Sequence, residues 1–334
     1  ADRPREETRS SLASGDIPDG PDTCFWSFRR GPVLSAAGIC TNQDVDCRDK
    51  QIAMSDNGKN GYRSAVAINL KVAGDTDRSD GARSGSGVTD AADADALHAT
   101  NKTNSVKILG RLREKNMLVP GSRITQEIKN EFRRIKRPLL SNAFGKSASL
   151  VDRGNIIVVT SSVPGEGKSY VATNLALAFA QERDITALLI DCDVTRQGVS
   201  RLLGVEKRRP DLTDLLVSES MSVRDVLLST DVPGLALVPA GKPHEFITEM
   251  VASHRMTQLI EEVGSRYSDR IIILDAPPIL STPESQVLAG LVGQIVFVIE
   301  AGKTPQTIVQ DALEMLPREK AIGLVLNKSE SISN

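Results

Sequence analysis

The sequence predicts an α/β domain with a doubly wound, mostly parallel sheet, from residue 151 to the end of the 334-residue chain. Six short apolar runs rich in β-branched residues alternate there with segments of helical periodicity, an order typical of strand–helix–strand units. The runs are almost continuously apolar, as in parallel strands buried on both faces. A glycine-rich loop directly follows the first run. The runs are NIIVVT (155–160), ITALLI (185–190), LALVPA (235–240), RIIILDA (270–276), QIVFVIE (294–300) and AIGLVLN (321–327).

Three segments between these runs are predicted helices, because their apolar residues recur at helical spacing. They cover residues 168–182, 244–263 and 305–316. The first begins at the end of the glycine-rich loop, so the loop adjoins the positive end of a helix dipole.

Residues 105–150 are predicted to form a helical arm in front of this domain. Within it, RITQEIKNEFRRIKRPLL (123–140) combines one apolar stripe with a strongly charged remaining surface, as in an amphipathic helix. Pro138 is expected to limit how far this helix runs, because proline lacks a backbone donor and clashes with the preceding turn. The stripe consists of Ile124, Ile128, Phe132 and Ile135.

Residues 1–104 differ in composition from the rest of the chain. Stretches such as GDIPDGPDTC and SDNGKNGYRS are rich in Gly, Asp, Ser and Asn, and such sequences cannot bury enough apolar surface to offset the entropy of ordering. Short apolar pieces such as SAVAINLKVAG could pair locally. The chain starts with Ala1, and its first methionine is Met54. We therefore expect this region to be disordered, or to include sequence from upstream of the true start.

Composition excludes several functional classes. The net charge of −2 gives no overall basic character that would favour nucleic acid. No run approaches the roughly 18 to 20 consecutive apolar residues that a membrane helix needs, and the first residues lack the apolar core of a secretory signal. The four cysteines include no CxxC pair, so neither a zinc site nor a disulfide framework is indicated. These features are typical of a soluble cytoplasmic protein.

The glycine-rich stretch SSVPGEGKSY is typical of a phosphate-binding loop. Gly167, Lys168 and Ser169 fit the end of the pattern GxxxxGK[ST], whereas Ser162 occupies its first glycine position. Gly165 compensates in part, because it lets several backbone N–H groups turn toward an anion. Lys168 would then reach the β- and γ-phosphates of a nucleotide, and the Ser169 hydroxyl would bind Mg²⁺.

Carboxylates follow two of the predicted strands. Asp191 and Asp193 come after one apolar run, two residues apart and therefore on the same side of an extended chain, and Asp275 ends another. Ligands of open α/β sheets collect at the carboxyl ends of the strands. A single strand-end aspartate is often only a cap or turn residue, but three of them beside a phosphate loop indicate a nucleotide–metal site.

The last predicted strand ends in Asn327. Its amide offers both a donor and an acceptor, and could read the edge of a nucleotide base. The alternative is an asparagine that merely forms a turn.

Together these motifs resemble the bacterial tyrosine kinases, the P-loop kinases of capsule and exopolysaccharide loci, from about Val106 to Lys328. PGEGKS has the form of that family's phosphate loop, LLIDCD resembles its A′ motif and IIILDAPP its Walker B motif. EFRRIKR matches the family's E-x-x-R-x-x-R signature, and RPLL follows as in the subgroup associated with exopolysaccharide and exosortase loci. The resemblance places the fold among the P-loop NTPases of the deviant Walker, or partition-ATPase, superfamily.

The resemblance implies ATP and Mg²⁺ as ligands. Lys168, Asp191 and Asp193 would be catalytic, with Asp191 as the base or orienter of an attacking tyrosine hydroxyl. Ser169, Asp193 and Asp275 would hold the metal, the aspartates through waters. The implied nucleotide-binding residues are Pro164, Gly165, Glu166, Gly167, Lys168, Ser169, Tyr170 and Asn327.

The resemblance also implies self-association. Glu131, Arg134 and Arg137 would dock one subunit onto the next in a ring that presents tyrosines in trans. The alternative is a solvated helix face with charge pairs that contribute only a few tenths of a kcal/mol each.

The acceptor tyrosine stays open. Family members often end in a tyrosine cluster, but this chain ends in NKSESISN and contains only Tyr62, Tyr170 and Tyr267. Tyr170 lies in the first turn after the phosphate loop and is expected to be too constrained to reach a neighbouring active site. Tyr267 is a possible phosphoacceptor; the alternatives are Tyr62, another protein, or no protein at all.

Two other functions remain open on the sequence. A partition- or division-site-type ATPase would share the sheet and much of the loop, but those proteins carry a lysine early in the loop, where this chain has Val163. A non-catalytic, nucleotide-sensing subunit of a polysaccharide co-polymerase would fit the missing tyrosine tail. The resemblance implies a membrane-embedded co-polymerase or chain-length regulator as partner, a phosphotyrosine phosphatase, no nucleic acid, and a cytoplasmic protein held at the inner membrane through its partner.

Overall fold

A computed structural model describes residues 53–54, 65–71, 104–145, 147–205, 209–266 and 269–329. Its strands are β1 (Ala53–Met54), β2 (Ala65–Lys71), β3 (Ser105–Val106), β4 (Ile156–Ser161), β5 (Thr186–Asp191), β6 (Leu228–Thr230), β7 (Leu235–Val238), β8 (Arg270–Asp275), β9 (Gln294–Glu300) and β10 (Ala321–Ser329). Its α-helices are α1 (Leu109–Glu114), α2 (Gln126–Phe144), α3 (Lys168–Ala180), α4 (Gly198–Leu203), α5 (Leu212–Val217), α6 (Val223–Val226), α7 (Ile247–Val251), α8 (His254–Arg266), α9 (Glu284–Leu291) and α10 (Gln306–Glu314).

The strands form one sheet in the order β1-β2-β10-β9-β4-β8-β5-β7-β6-β3. All neighbours from β2 to β7 in this order are parallel, whereas β1 and β6 each run antiparallel to a neighbour. The predicted doubly wound, mostly parallel α/β fold is confirmed. Each of the six predicted runs overlaps one strand of the sheet, and β4, β5 and β8 are almost wholly buried. Because β4, β5 and β8 are parallel, their carboxyl ends meet at one edge of the sheet.

Helix α2 is longer than Pro138 led us to expect. It continues through that proline to Phe144, so the expectation that the proline limits the helix is wrong. The buried Gln294 of β9 holds the second half of the helix, because its amide donates to the Leu139 carbonyl and accepts a hydrogen bond from Asn142. Pro138 and Arg134 are exposed, so water can reach the carbonyl that loses its helical donor. These contacts outweigh the local cost of the proline.

The predicted helix over 244–263 is two helices, α7 and α8. Between them the Ser253 hydroxyl donates to the Met250 carbonyl and accepts from the Met256 amide. A serine that satisfies backbone groups in this way ends one helix and begins the next.

Most of residues 1–104 lie outside the described ranges. The exceptions are Asn104, β1 and β2, and β2 falls within the apolar piece SAVAINLKVAG, where it pairs in parallel with β10. Across the described ranges, every helix is too short or too polar to cross a membrane.

Candidate active site

The phosphate loop joins β4 to α3 at the carboxyl edge of the sheet. Gly165 and Gly167 have φ values of 94° and 95°, a region that disfavours side chains. A Cβ on Gly167 would also collide with the Asn327 amide. The loop therefore needs glycine at Gly167 for two independent reasons, its backbone angle and its close packing.

The Glu166 side chain braces this loop from inside the protein. It is 1% exposed, and one carboxylate oxygen accepts the Val163 amide at 2.8 Å. The other oxygen accepts the Thr304 hydroxyl at 2.6 Å and the Glu300 amide at 3.4 Å. The carboxylate thus ties the loop to itself and to the end of β9.

The end of β10 holds the loop from the opposite side. The Asn327 amide donates to the Glu166 carbonyl at 2.8 Å, and the Lys328 ammonium donates to the Gly165 carbonyl at 2.6 Å and pairs with Glu300 at 3.3 Å. Asn327 is buried, so its side chain positions the loop in this state. A contact with a nucleotide base stays a prediction.

The three predicted aspartates lie beside the phosphate loop. Asp191 of β5 and Asp275 of β8 are register partners on adjacent parallel strands, and both are fully buried. Asp193 follows two residues after Asp191 and is 1% exposed. The structure therefore brings together, at one edge of the sheet, the carboxylates that the sequence placed at strand ends.

Two side chains of α3 connect the loop to these carboxylates. The Lys168 ammonium lies 2.7 Å from an Asp193 oxygen in a buried ion pair. Burial by itself would lower the pKa of Lys168, but Asp275, Asp193 and Asp191 together raise it above its ordinary value. The Ser169 hydroxyl donates to Asp275 at 2.6 Å. Lys168 is therefore a full cation facing all three carboxylates.

One carboxylate oxygen of Asp191 accepts two hydrogen bonds, and the other accepts none. Its Oδ2 accepts the Ser200 amide at 2.8 Å and the Ser200 hydroxyl at 2.7 Å, whereas its Oδ1 is buried with no hydrogen-bond partner. Burial and the neighbouring Asp275 raise the pKa of Asp191 well above its usual range. An oriented carboxylate with a raised pKa and a vacant oxygen suits acceptance of a proton.

The residues at this site fit Mg²⁺ held together with a phosphate ligand. Asp275 Oδ1 is buried without a partner, beside the Ser169 hydroxyl, and burial raises the pKa of this carboxyl while Lys168 and Ser169 oppose the shift. Within the described ranges no group of three or more His, Cys, Asp or Glu side chains forms a ready-made metal cage. Mg²⁺ usually keeps several waters and binds through one or two carboxylates plus substrate phosphates, so this arrangement agrees with a nucleotide-dependent metal.

The other predicted residues that the structure describes lie in the phosphate loop, at the start of α3 and on α2. Pro164 is an exposed loop residue, and Tyr170 is half-buried in the first turn of α3, where burial raises the pKa of its phenol. Tyr267 lies outside the described residues. On α2, Arg134 and Glu131 form an ion pair at 3.2 Å, and the Arg134 side chain is 69% exposed. Arg137 is exposed on the same helix.

Sequence reasoning missed the residues that hold these groups in place. Ser200 fixes Asp191, and Thr304 and Glu300 anchor Glu166, yet none of them belongs to a motif. Gly198 gave a weak signal at most: a Cβ there would collide with the Ser169 hydroxyl. The clearest available signal was Lys328, which directly follows the last predicted apolar run.

The sequence profile described as "AAA domain" matches residues 154–301. Tyrosine-protein kinase CpsD of Streptococcus agalactiae serotype Ia is 32% identical over 181 residues, which cover 53% of this chain and 76% of CpsD. The structure titled "BceF Tyrosine Kinase Domain" superimposes with a TM-score of 0.52 at 26% identity, over 70% of this chain and 87% of that one.

Longer relatives match in part only. The chain spans 24% of tyrosine-protein kinase ptk of Acinetobacter johnsonii, at 28% identity over 52% of this chain. It spans 22% of the succinoglycan biosynthesis transport protein ExoP of Rhizobium meliloti, at 30% identity over 52% of this chain. The extent of the match to CpsD, together with the phosphate loop and the strand-end aspartates, shows that this chain belongs to the bacterial tyrosine kinase family.

Proposed function

We propose that this chain is an ATP-dependent protein-tyrosine (auto)kinase that regulates exopolysaccharide polymerisation and export. The observation that carries the proposal is the convergence of Lys168 with Asp191, Asp193 and Asp275 beside a glycine-built phosphate loop. The name of the tyrosine-protein kinase CpsD supports the phosphoryl-transfer reaction. The name of the succinoglycan biosynthesis transport protein ExoP supports the exopolysaccharide setting.

The loop and α3 would bind the ATP phosphates. Backbone amides around Gly165 and Gly167 and the start of α3 favour an anion. Lys168 would leave Asp193 and bind the β- and γ-phosphates, where charge builds during transfer. Ser169 would contact Mg²⁺ directly, and Asp193 and Asp275 would hold it through waters. Bound Mg²⁺ would supply charge neutralisation at the phosphates.

Asp191 would orient the acceptor and take its proton. Ser200 occupies one of its oxygens, so the partnerless Oδ1 is available to a tyrosine hydroxyl. The phenol has an ordinary pKa of about 10, and phosphoryl transfer proceeds through a loose transition state. Positioning the hydroxyl therefore matters more than strong deprotonation.

The proposal includes a setting for this activity. Glu131, Arg134 and Arg137 of α2 would dock subunits into a ring, and the acceptor would be Tyr267 or a tyrosine of another protein. A membrane-embedded co-polymerase would recruit the chain to the cytoplasmic face of the inner membrane, and a phosphotyrosine phosphatase would reverse the reaction. The exposed charges of α2 support the docking role.

The partition-type ATPase is the less favoured candidate. Val163 stands where those proteins carry a lysine that acts across their dimer, and its amide is bound to Glu166. Incubation with γ-labelled ATP separates the candidates: phosphotyrosine indicates the kinase, free phosphate alone an ATPase, and neither product a nucleotide sensor. Lys168→Met should abolish whichever product forms.

A further inference from the structure

A cavity of about 240 Å³ is lined in part by Ser200, the residue that holds Asp191. One wall is Ser200, whose hydroxyl binds the Asp191 carboxylate at 2.7 Å and accepts the Ala240 amide at 3.2 Å. Its other walls come from α4, from described residues on either side of positions 206–208, and from the segment after β7. The lining includes Gln197, Arg201, Arg209, Asp211, Gly241 and Lys242.

The sheet order places this cavity across the carboxylates from the phosphate loop. The loop follows β4, Asp275 ends β8, Asp191 ends β5, and the cavity lies over the end of β7; these strands are neighbours in that order. In phosphoryl transfer the attacking and leaving oxygens lie roughly in line on opposite sides of phosphorus. An acceptor that enters from the cavity would therefore approach on the side opposite the bound nucleotide.

The lining of the cavity is cationic. Arg201, Arg209 and Lys242 contribute three positive charges, and Asp211 contributes one negative charge. Asp211 accepts the Asp214 amide at 3.0 Å as the cap of α5, and Arg209 donates to the Ser105 carbonyl. The four groups leave the lining with a net positive charge. Anionic groups are therefore favoured here over cationic ones.

Two contacts hold described parts of the cavity wall together. The Gln197 side chain donates to the Gly241 carbonyl and so joins α4 to the segment after β7. Gly241 has a φ of 91°, and a Cβ there would collide with Asp211. A preformed site loses less free energy to ordering when its ligand binds.

We propose that this cavity binds the acceptor segment and selects tyrosines that are flanked by acidic residues. The proposal rests on the proposed kinase function, since it names the substrate class of that same site. A volume of about 240 Å³ is below the 300 Å³ or more of most small-molecule pockets, so it suits one or two side chains of an extended segment. The flanking carboxylates would pair with Lys242 and Arg201 at the rim while the tyrosine reaches Asp191.

Peptide binding tests the proposal without requiring catalysis. Three fluorescent peptides of equal length carry phenylalanine in place of tyrosine and differ only in flanking glutamate, glutamine or lysine. Their affinity for the full chain is measured by fluorescence anisotropy with Mg²⁺ and a non-hydrolysable ATP analogue. We expect the acidic peptide to bind at least 10-fold more tightly than the neutral one, and this preference to weaken as salt rises.

Charge reversal at the rim locates the preference. Arg201→Glu combined with Lys242→Glu should weaken binding of the acidic peptide at least 10-fold and strengthen binding of the lysine peptide. The matched control combines Arg183→Glu with Arg318→Glu, which changes the net charge equally at exposed positions preceding β5 and β10, the opposite edge of the sheet. The control should leave the acidic preference within two-fold of its original value.

Equal affinity of wild type for the acidic and neutral peptides would overturn the proposal. So would an equal loss in the rim variant and its control, because that would show a bulk charge effect. The wild-type comparison decides the matter even if the rim variant does not fold. If the acidic peptide binds more tightly but no phosphotyrosine forms, the kinase function is refuted and the proposed binding site stands. If phosphotyrosine forms but the acidic peptide is not preferred, the binding site is refuted and the kinase function stands.

Discussion

Lys168 and Asp193 form a buried ion pair, with the ammonium 2.7 Å from the carboxylate and the two side chains 9% and 1% exposed. Lys168 is the side chain that the nucleotide phosphates would need. When ATP binds, its phosphates would therefore replace the Asp193 carboxylate as the partner of Lys168, while Asp275 and Asp191 keep the lysine charged.

Removal of Lys168 should destabilise the nucleotide-free protein more than removal of the Asp193 charge. Lys168→Met leaves buried carboxylates without their cation, which typically costs about 3–5 kcal/mol. Asp193→Asn keeps a hydrogen-bond acceptor and leaves Lys168 facing Asp275, so we expect about 1 kcal/mol. Urea unfolding of both variants without nucleotide measures the difference. A larger loss in Asp193→Asn would contradict this view of the pair.

Asp191→Asn should separate chemistry from nucleotide binding. The amide keeps the size of the side chain but cannot accept the tyrosine proton, so phosphotyrosine formation should fall by roughly 10²- to 10⁴-fold. Affinity for a fluorescent ATP analogue should change less than three-fold, because Asp191 contacts neither the loop nor Lys168 by a hydrogen bond. Ser200→Ala, which removes one of the two hydrogen bonds to Oδ2, should have a smaller effect of the same kind. Full activity in Asp191→Asn would remove Asp191 from the mechanism.

Glu166→Gln should weaken nucleotide binding even though the residue is buried behind the loop. Its carboxylate accepts three hydrogen bonds, from Val163, Thr304 and Glu300. The side-chain NH₂ group of a glutamine would face at least one of these N–H or O–H donors and leave it without an acceptor, at a cost of about 1–3 kcal/mol. We expect a comparable loss in unfolding free energy and a dissociation constant for ATP raised about 10-fold. The exposed Glu314→Gln is the control with the same charge change, and equal behaviour of the two variants would refute the bracing role.

Arg134→Glu combined with Arg137→Glu should prevent self-association. Both side chains are exposed on α2, and reversing their charges would replace attraction by repulsion at any subunit surface whose charge complements theirs. Sedimentation velocity should show the wild type as a larger assembly and the variant as a monomer of unchanged unfolding free energy. A wild type that stays monomeric at all concentrations, with Mg²⁺ and nucleotide present, would refute ring formation by this chain alone.

The sequence carried enough information for the sheet and for the reacting groups. Continuous apolar runs identified the major strands, and the carboxyl ends of parallel strands meet at one edge, so Asp191 and Asp275 were expected at the same edge. That they are direct neighbours depends on the pairing of β5 with β8, which the runs do not encode. The supporting hydrogen bonds could not be foreseen. Ser200 lies on the short helix α4 and Thr304 in the loop after β9, and neither residue belongs to a motif or a periodic pattern. The continuation of α2 past Pro138 was hidden for a similar reason, because it depends on Gln294, far away in sequence.

A crystal structure of the chain with Mg²⁺ and a non-hydrolysable ATP analogue would show whether the loop, Lys168 and the three aspartates act on one nucleotide. We expect Lys168 to leave Asp193 and contact the β- and γ-phosphates, with the metal beside Ser169 and the Asp191 Oδ1 facing the γ-phosphate. A nucleotide bound at this loop with the Lys168–Asp193 pair intact, or a γ-phosphate directed away from Asp191, would contradict this expectation.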